Sequence, residues 1–176
     1  KARTVKLGKP GMRINLGGVI DGCLAFIPVF RAQGSGHIVN VASAAGLIEI
    51  PPLAPYNVSK AAVVALSESL SVELGAEGIG VSVLCPTFIR TNIHLAGRSY
   101  GKGAKESSEA IMAKAKKSAD DIAEITLRAV EKDKLFIVPH ADGLWAWRLM
   151  RADPESFYKR ILPPIWKKMR CWWTSP

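Results

Sequence analysis

A short apolar run, His37-Ile38-Val39-Asn40-Val41-Ala42, most constrains what this 176-residue chain can fold into. Gly34-Ser35-Gly36 precede it, and its β-branched residues do not follow a strict alternation with polar ones. Such a run is typical of a strand buried on both faces of a parallel sheet. Two further runs, Val81–Leu84 and Leu135–Pro139, have the same character. Long helical patterns separate the three runs, so the sequence predicts parallel strands joined by right-handed crossovers.

The stretches between these strands predict helices. One should run from about Met12 to Arg31, and a second from Pro55, a residue suited to a first helical turn, to about Leu74. Residues 61–66 are apolar almost all round, which predicts burial of both helix faces. Ser118 to Asp121 resembles a capping box that opens a third helix. Residues 92–117 have little periodicity and predict a loop or lid.

Charge divides the chain into three parts. Residues 1–11 carry four basic and no acidic residues, residues 147–176 carry seven basic and two acidic ones, and residues 12–146 are neutral overall. We therefore expect a basic leader at 1–11, a globular α/β unit at 12–146 and a basic, aromatic helical extension at 147–176. Such ends could attract nucleic acid or an anionic membrane, but solvated basic termini are the plainer interpretation. The chain has no signature of a nucleic-acid-binding fold, so no nucleic-acid partner is predicted, and the tail more readily packs on protein than on a membrane.

Cysteine and histidine usage bears on metals and on compartment. The three cysteines, Cys23, Cys85 and Cys171, are widely spaced and odd in number, which favours reduced thiols and a cytoplasmic protein over a disulfide framework. The histidines are isolated from one another in sequence, so no metal site is predicted. Asp21 and Pro28 interrupt the most apolar stretch, which argues against a membrane-spanning helix.

Chemistry is indicated by Tyr56 and Lys60 at the start of the second helix. Four residues is just over one turn, so both side chains should lie on one face, where a lysine ammonium favours the phenolate of a neighbouring tyrosine. Ser43 ends the first strand 13 residues before Tyr56. Enzymes with parallel sheets place their chemistry at the carboxyl ends of strands, which is where Ser43 is expected. Asn15 lies 28 residues before Ser43, in the first helix.

Several segments in order resemble the signatures of short-chain dehydrogenases/reductases. They are Asn15-Leu16-x-Gly18, Gly36-x-Ile38-Val39-Asn40-Val41-Ala42-Ser43, Tyr56-x-x-Ser59-Lys60 and Pro86-Thr87-Phe88-Ile89-Arg90-Thr91. The last resembles the family's Pro-Gly-x-Val-x-Thr, with Thr87 where the family has glycine. The resemblance covers about residues 12–140 and implies a Rossmann-like doubly wound parallel sheet.

The resemblance also implies an activity, hydride transfer between NAD or NADP and a carbonyl or secondary alcohol. It implies that Tyr56 exchanges a proton with the substrate oxygen, that Ser43 hydrogen-bonds that oxygen, and that Lys60 assists the tyrosine and binds the nicotinamide ribose. Asn15 would hold a water in a relay to Lys60.

The segment from Pro86 to Thr91 would hold the nicotinamide carboxamide, through the backbone of Ile89 and the hydroxyl of Thr91. Each residue also has a plainer interpretation: Ser43 as a strand-end residue, Asn15 as a polar break in a helix, and Thr91 as a helix N-cap.

The family's dinucleotide-binding signatures do not occur in this sequence. There is no Thr-Gly-x-x-x-Gly-x-Gly turn to cradle a pyrophosphate and no Asn-Asn-Ala-Gly strand end. We therefore expect an incomplete sheet, the catalytic half only, which belongs either to a longer enzyme or to a natural truncation. The alternative function is a non-catalytic module that acts through oligomerisation or through its basic ends.

Substrate selection is expected in the loop after Ser43 and in the predicted lid. Leu47, Ile48, Ile50 and Leu53 suggest an apolar wall, with Ile93 and Leu95 closing over it, which favours a hydrophobic alcohol or ketone; these residues could equally be ordinary core. Homo-oligomers formed through the first two helices are a further expectation from the family.

Overall fold

The computed structural model describes residues 9–51, 53–91 and 114–167 of the chain. In chain order the elements are α1 (Lys9–Met12), a π-helical turn (Arg13–Gly17), α2 (Gly18–Gln33), β1 (Gly36–Val41), a 3-10 turn (Ala44–Gly46), α3 (Ala54–Gly75), β2 (Ile79–Leu84), α4 (Ala119–Val130), β3 (Phe136–Ile137), α5 (Ala141–Ala152), α6 (Pro154–Ser156) and a second π-helical turn (Phe157–Ile161). Residues 162–167 are also helical.

The three strands form one parallel sheet in the order β1-β2-β3. Gly36 pairs with Ile79 and Val41 with Leu84, and the ladder continues past the strand ends because the Ala44 N–H donates to the Pro86 carbonyl. The predicted α/β class, parallel pairing and strand positions are therefore confirmed. A parallel register places the carboxyl ends of all three strands at the same edge of the sheet.

Helices α2 and α3 pack on β1 and β2 and enclose the core toward the amino ends of these strands. One buried cluster joins Cys23 of α2 to Leu70 and Leu74 of α3 and to Ile38 and Ile79 of the strands. Asn40, buried in β1, is accommodated because it donates to Ser67 at 3.0 Å and accepts from Cys23 at 3.7 Å. Buried polar side chains are tolerated when they are hydrogen-bonded in this way.

Helix α3, the second helix predicted from the sequence, differs from expectation in which of its faces are buried. Val63 and Val64 are buried, but Ala65 is exposed, and Val72 on the same helix is 81% exposed. The helix therefore buries one face rather than two, because no element among the described residues covers the other. The apolar composition of residues 61–66 alone did not distinguish these faces.

The first helical stretch is longer than predicted and contains a π-helical turn at Arg13–Gly17. By length and composition alone, Arg13–Gln33 is apolar enough to cross a bilayer, contrary to the sequence expectation; within the described residues it is the one such helix. A core helix passes the same test by length and composition. Val19, Ile27 and Phe30 pack against the sheet cluster, while only 6% of the apolar window is buried.

The predicted capping box at Ser118 is confirmed. The Ser118 hydroxyl accepts from the Asp121 N–H at 3.2 Å, and the Asp121 carboxylate accepts from the Ser118 N–H at 2.7 Å. These reciprocal bonds satisfy two of the backbone donors that a helix start leaves open. The predicted lid falls mainly on residues 92–113, which lie outside the described residues.

Candidate active site

Ser43 lies at the carboxyl end of β1, as its position in the sequence predicted. Its extended backbone makes it the N-cap of the 3-10 turn, where its hydroxyl accepts from the Ala45 N–H at 3.2 Å. The same hydroxyl donates to the Pro86 carbonyl at 3.4 Å, just after β2. Ser43 therefore joins the ends of two neighbouring strands.

The 3-10 turn after Ser43 packs directly against the backbone of α3. A Cβ placed on Gly46 would lie 2.5 Å from the Lys60 carbonyl carbon and 2.6 Å from its oxygen. Gly46 has no positive φ, so glycine is needed here for space rather than for conformation. This close approach sets the separation between the Ser43 turn and the helix that carries Tyr56 and Lys60.

Lys60 is fixed to the edge of the sheet. Its Nζ donates to the Val41 carbonyl at 2.9 Å. The Ala42 N–H, in the same peptide unit as that carbonyl, donates across to Leu84, so in a planar trans peptide the Val41 carbonyl faces away from β2. The Lys60 ammonium thus lies at the edge of β1 that faces away from β2. It is bound there at Val41, which is two residues before Ser43.

Tyr56 and Lys60 lie together, as their spacing predicted. The Lys60 Nζ is 5.9 Å from the centroid of the Tyr56 ring, within the range in which a cation interacts with an aromatic face. Tyr56 is 38% exposed and Lys60 is half-buried. A tyrosine reachable from solvent beside a partly desolvated lysine is a suitable arrangement for proton exchange with a bound molecule.

The electrostatics of this corner are dominated by burial. Burial lowers the pKa of Lys60, and no carboxylate is among the groups that shift it in the part of the chain described. Burial also raises the pKa of Cys85 to about 12, so this thiol is neutral at physiological pH, gives Lys60 no counter-charge and is not a nucleophile. The ammonium is therefore available to a polar group brought in by a ligand.

Asn15 lies in the π-helical turn, a feature frequent at functional sites. Its Nδ2 donates to the Ser59 hydroxyl at 3.3 Å, and that hydroxyl donates to the Tyr56 carbonyl at 2.7 Å. Asn15 is thus brought to α3 beside Lys60, through a direct contact with Ser59. The water relay from Asn15 to Lys60 stays a prediction.

The segment from Pro86 to Thr91 follows β2 at the same sheet edge. Ile89 packs against the cluster of Leu84 and Ile122, and Arg90 forms a parallel bridge with Ser118. Thr87 has no positive φ, so a threonine replaces the family's glycine without backbone strain. The assignment of Pro86, Ile89 and Thr91 to a carboxamide site stays a prediction.

Of the four apolar residues expected after Ser43 to form a substrate wall, two are buried and two are partly exposed. Leu47 and Ile48 are buried, and Leu47 packs with Val63 and Val83 in the core. Ile50 and Leu53 are partly exposed and remain candidates for a wall. Ile93 and Leu95 lie outside the described residues.

Sequence reasoning missed two residues at this edge, Gly46 and His140. His140 follows β3 as Ser43 follows β1, and it is the N-cap residue of α5. Its Nδ1 accepts from the Thr87 N–H at 3.3 Å. Its position just beyond the carboxyl end of a predicted strand is the sequence signal for this residue, and metal-ligand spacing does not detect it. Within the described residues no cluster of metal-ligating side chains occurs, and Cys23 and Cys85 are free.

The described residues form a parallel α/β sheet of the Rossmann-like class, with Ser43, Tyr56 and Lys60 at its carboxyl edge, where proteins of this class bind their ligands. The family model for short chain dehydrogenases matches residues 7–99. The chain belongs to the short-chain dehydrogenase family.

Relatives and solved structures agree. The chain is 36% identical over 163 residues to the C alpha-dehydrogenase of Sphingobium sp. strain SYK-6, covering 86% of this chain and 51% of that protein. It is 35% identical over 156 residues to "Probable oxidoreductase EphD" of Mycobacterium tuberculosis, covering 82% of this chain and 26% of that one. A short-chain dehydrogenase/reductase from Burkholderia phymatum, solved with NAD, superposes with a TM-score of 0.74 at 32% identity, covering 82% of this chain and 57% of the other. The chain thus spans between a quarter and about half of these curated relatives.

Proposed function

We propose that this chain is the catalytic half of an NAD- or NADP-dependent oxidoreductase that interconverts a secondary alcohol and a carbonyl compound. The observation that carries the proposal is the position of the Lys60 ammonium, which donates to the Val41 carbonyl on the side of β1 away from β2 and lies 5.9 Å from the centroid of the Tyr56 ring. Ser43, at the end of the same strand, completes the group. Family membership and the NAD complex of the B. phymatum protein support this choice of chemistry.

Each side chain has a distinct role in the proposal. Tyr56, exposed at the sheet edge, gives a proton to the substrate oxygen in reduction and takes it back in oxidation. Ser43 donates a hydrogen bond to that oxygen as charge develops on it. Lys60 holds positive charge beside the phenol and stabilises its deprotonated form. Asn15, held on Ser59, supports the start of α3.

The residues present fit the nicotinamide riboside part of such a cofactor. An ammonium has three donors, and Val41 accepts one of those of Lys60, so ribose hydroxyls could accept another. The segment from Pro86 to Thr91 presents backbone groups at the neighbouring strand end for the carboxamide. The bound dinucleotide supplies or accepts the hydride. The glycine-rich turn that would hold its pyrophosphate is not among these 176 residues.

The proposed substrate is a small, hydrophobic alcohol or ketone. Ile50 and Leu53, partly exposed beside the Ser43 turn, support an apolar wall. We place the protein in the cytoplasm, on its free, buried Cys23 and Cys85.

Replacing Tyr56 tests the proposal, in the protein that carries this chain. Tyr56→Phe removes only the hydroxyl, so turnover of NADH with a panel of hydrophobic ketones should fall by about 10²–10⁴-fold with the circular dichroism spectrum unchanged. Tyr158→Phe is the matched control, because Tyr158 hydrogen-bonds Glu49 and is not placed in the chemistry. Full activity in Tyr56→Phe would refute the role assigned to this tyrosine.

A second candidate function is association without catalysis. Helix α2 and the turn before it expose a set of large apolar side chains: Ile14 is 73%, Leu24 68%, Phe26 57% and Val29 52% exposed. Apolar patches of this kind mark interaction surfaces. Binding and activity measurements distinguish the two candidate functions. A module that acts only by association would self-associate but would neither bind a nicotinamide cofactor nor turn over a substrate.

A further inference from the structure

His140 follows the carboxyl end of β3 in the same way as Ser43 follows the carboxyl end of β1. It lies after β3, at the start of α5, 53 residues along the chain from Thr87. Its Nδ1 and the Thr87 amide nitrogen are 3.3 Å apart, with the amide donating. Thr87 is the second residue of the segment proposed to hold the carboxamide. This contact therefore links the end of β3 to that segment.

The hydrogen bond defines the state of the imidazole. A ring nitrogen that accepts a hydrogen bond carries no proton, so the neutral ring has its proton on Nε2. Nε2 is buried and has no hydrogen-bond partner in the part of the chain described. A protonated ring would lose the acceptor at Nδ1, and the Thr87 amide would lose its partner.

Packing around Thr87 supplies an independent observation. A Cβ placed on Gly143, the third residue of α5, would lie 2.8 Å from the Thr87 Cγ2. Gly143 is buried, and it leaves the space that the threonine methyl group occupies. The start of α5 thus contacts Thr87 at two points: the Thr87 amide donates a hydrogen bond to His140, and the Thr87 methyl group fills the space left at Gly143.

We propose that His140 is a positioning residue for the nicotinamide site: its neutral ring holds the Thr87 amide and so sets the backbone of residues 86–91, and its protonation releases that segment. This inference rests on the proposed function. It gives the site a pH-dependent control at a residue outside the proton-transfer group.

The surroundings of His140 keep the ring neutral near physiological pH. Burial lowers its pKa and is the largest influence. Asp142, on the same helix, and the nearby Phe88 backbone raise the pKa, whereas Lys117, in the segment before α4, lowers it.

The test uses the whole chain and two variants of His140. His140→Asn retains an acceptor near the Nδ1 position and does not titrate, whereas His140→Leu removes the acceptor. Nuclear magnetic resonance follows the Thr87 amide from pH 8 to pH 5. In the wild type this amide should shift with the titration of the His140 ring, and in His140→Asn it should stay constant. His37→Gln, a change at the opposite end of the sheet, should leave the Thr87 titration intact.

Binding of reduced nicotinamide mononucleotide, followed by its fluorescence, provides the second readout. This probe carries the nicotinamide riboside that the proposed site would hold, together with a single phosphate. At pH 7.5, His140→Leu should bind about fivefold or more weakly than wild type, and His140→Asn should bind nearly as wild type. Wild-type affinity should fall at low pH, and that of His140→Asn should not.

The outcomes distinguish the inference from the function on which it rests. A Thr87 amide indifferent to His140 titration, or a folded His140→Leu that binds the probe like wild type, would overturn the role of His140 while leaving the oxidoreductase intact. If the protein that carries this chain binds neither the mononucleotide nor NADH, the proposed function is overturned, and the nicotinamide role of His140 with it.

Discussion

Gly46 is the position at which one methyl group should perturb both stability and the site. A Cβ there would lie 2.5 and 2.6 Å from the carbonyl carbon and oxygen of Lys60 and 2.9 Å from the Ala61 nitrogen. Ordinary contacts begin near 3.4 Å, so the turn or the helix must move by about 1 Å. The obstacle is helix backbone, which cannot move aside as a flexible side chain can. Overpacking of this kind costs about 1–3 kcal/mol.

The expected result for Gly46→Ala is therefore a lower free energy of unfolding in urea and a melting temperature reduced by roughly 2–4 °C for each kcal/mol. Turnover by the protein that carries this chain should fall further than stability explains, because a 1 Å misplacement of a catalytic group can cost about 10²-fold.

Gly22→Ala provides the matched control for this substitution. Gly22 lies within α2, and a Cβ there meets nothing within 4 Å. This change should stabilise the chain by about 0.5–1 kcal/mol through helix propensity. If Gly46→Ala proved as stable as wild type, the close approach of the Ser43 turn to α3 would be wrong.

Two further predictions concern acid stability and association. Burial lowers the pKa of His37, whose Nε2 lies 2.8 Å from the Ser82 hydroxyl. As pH falls, the unfolded chain therefore takes up a proton at this histidine before the folded chain does. The free energy of unfolding should be highest above about pH 6.5 and should fall as pH drops toward the lowered pKa of the folded state. His37→Gln should flatten this part of the urea midpoint against pH, and parallel profiles would contradict the assignment. For association, Leu24→Glu on α2 should shift any oligomer toward monomer in light scattering, while Leu127→Glu, equally exposed on α4, should not; equal effects would argue against α2 as the interface.

Local pattern was sufficient for most elements of the fold. The strand from Gly36, the helix through Tyr56 and Lys60 and the capping box at Ser118 all lie where the sequence predicted them. Each depends on neighbours within a few residues: β-branched runs, a proline in a first turn, and a serine three residues before an aspartate. The four-residue spacing of Tyr56 and Lys60 likewise required only helical geometry.

What the sequence by itself determined, then, was the order of strands and helices and the side chains available at the strand ends. Tertiary structure decided which groups those side chains contact. Lys60 donates to the Val41 carbonyl, Asn15 donates to the Ser59 hydroxyl, and His140 accepts from the Thr87 amide. These partners lie 19, 44 and 53 residues apart. Such contacts depend on the register of β1 against β2 and on the spacing that Gly46 permits, and no local period encodes either. The proposed chemistry rests on residue types, whereas the proposed control at His140 depends on contacts that form only when the three strand ends lie at one edge.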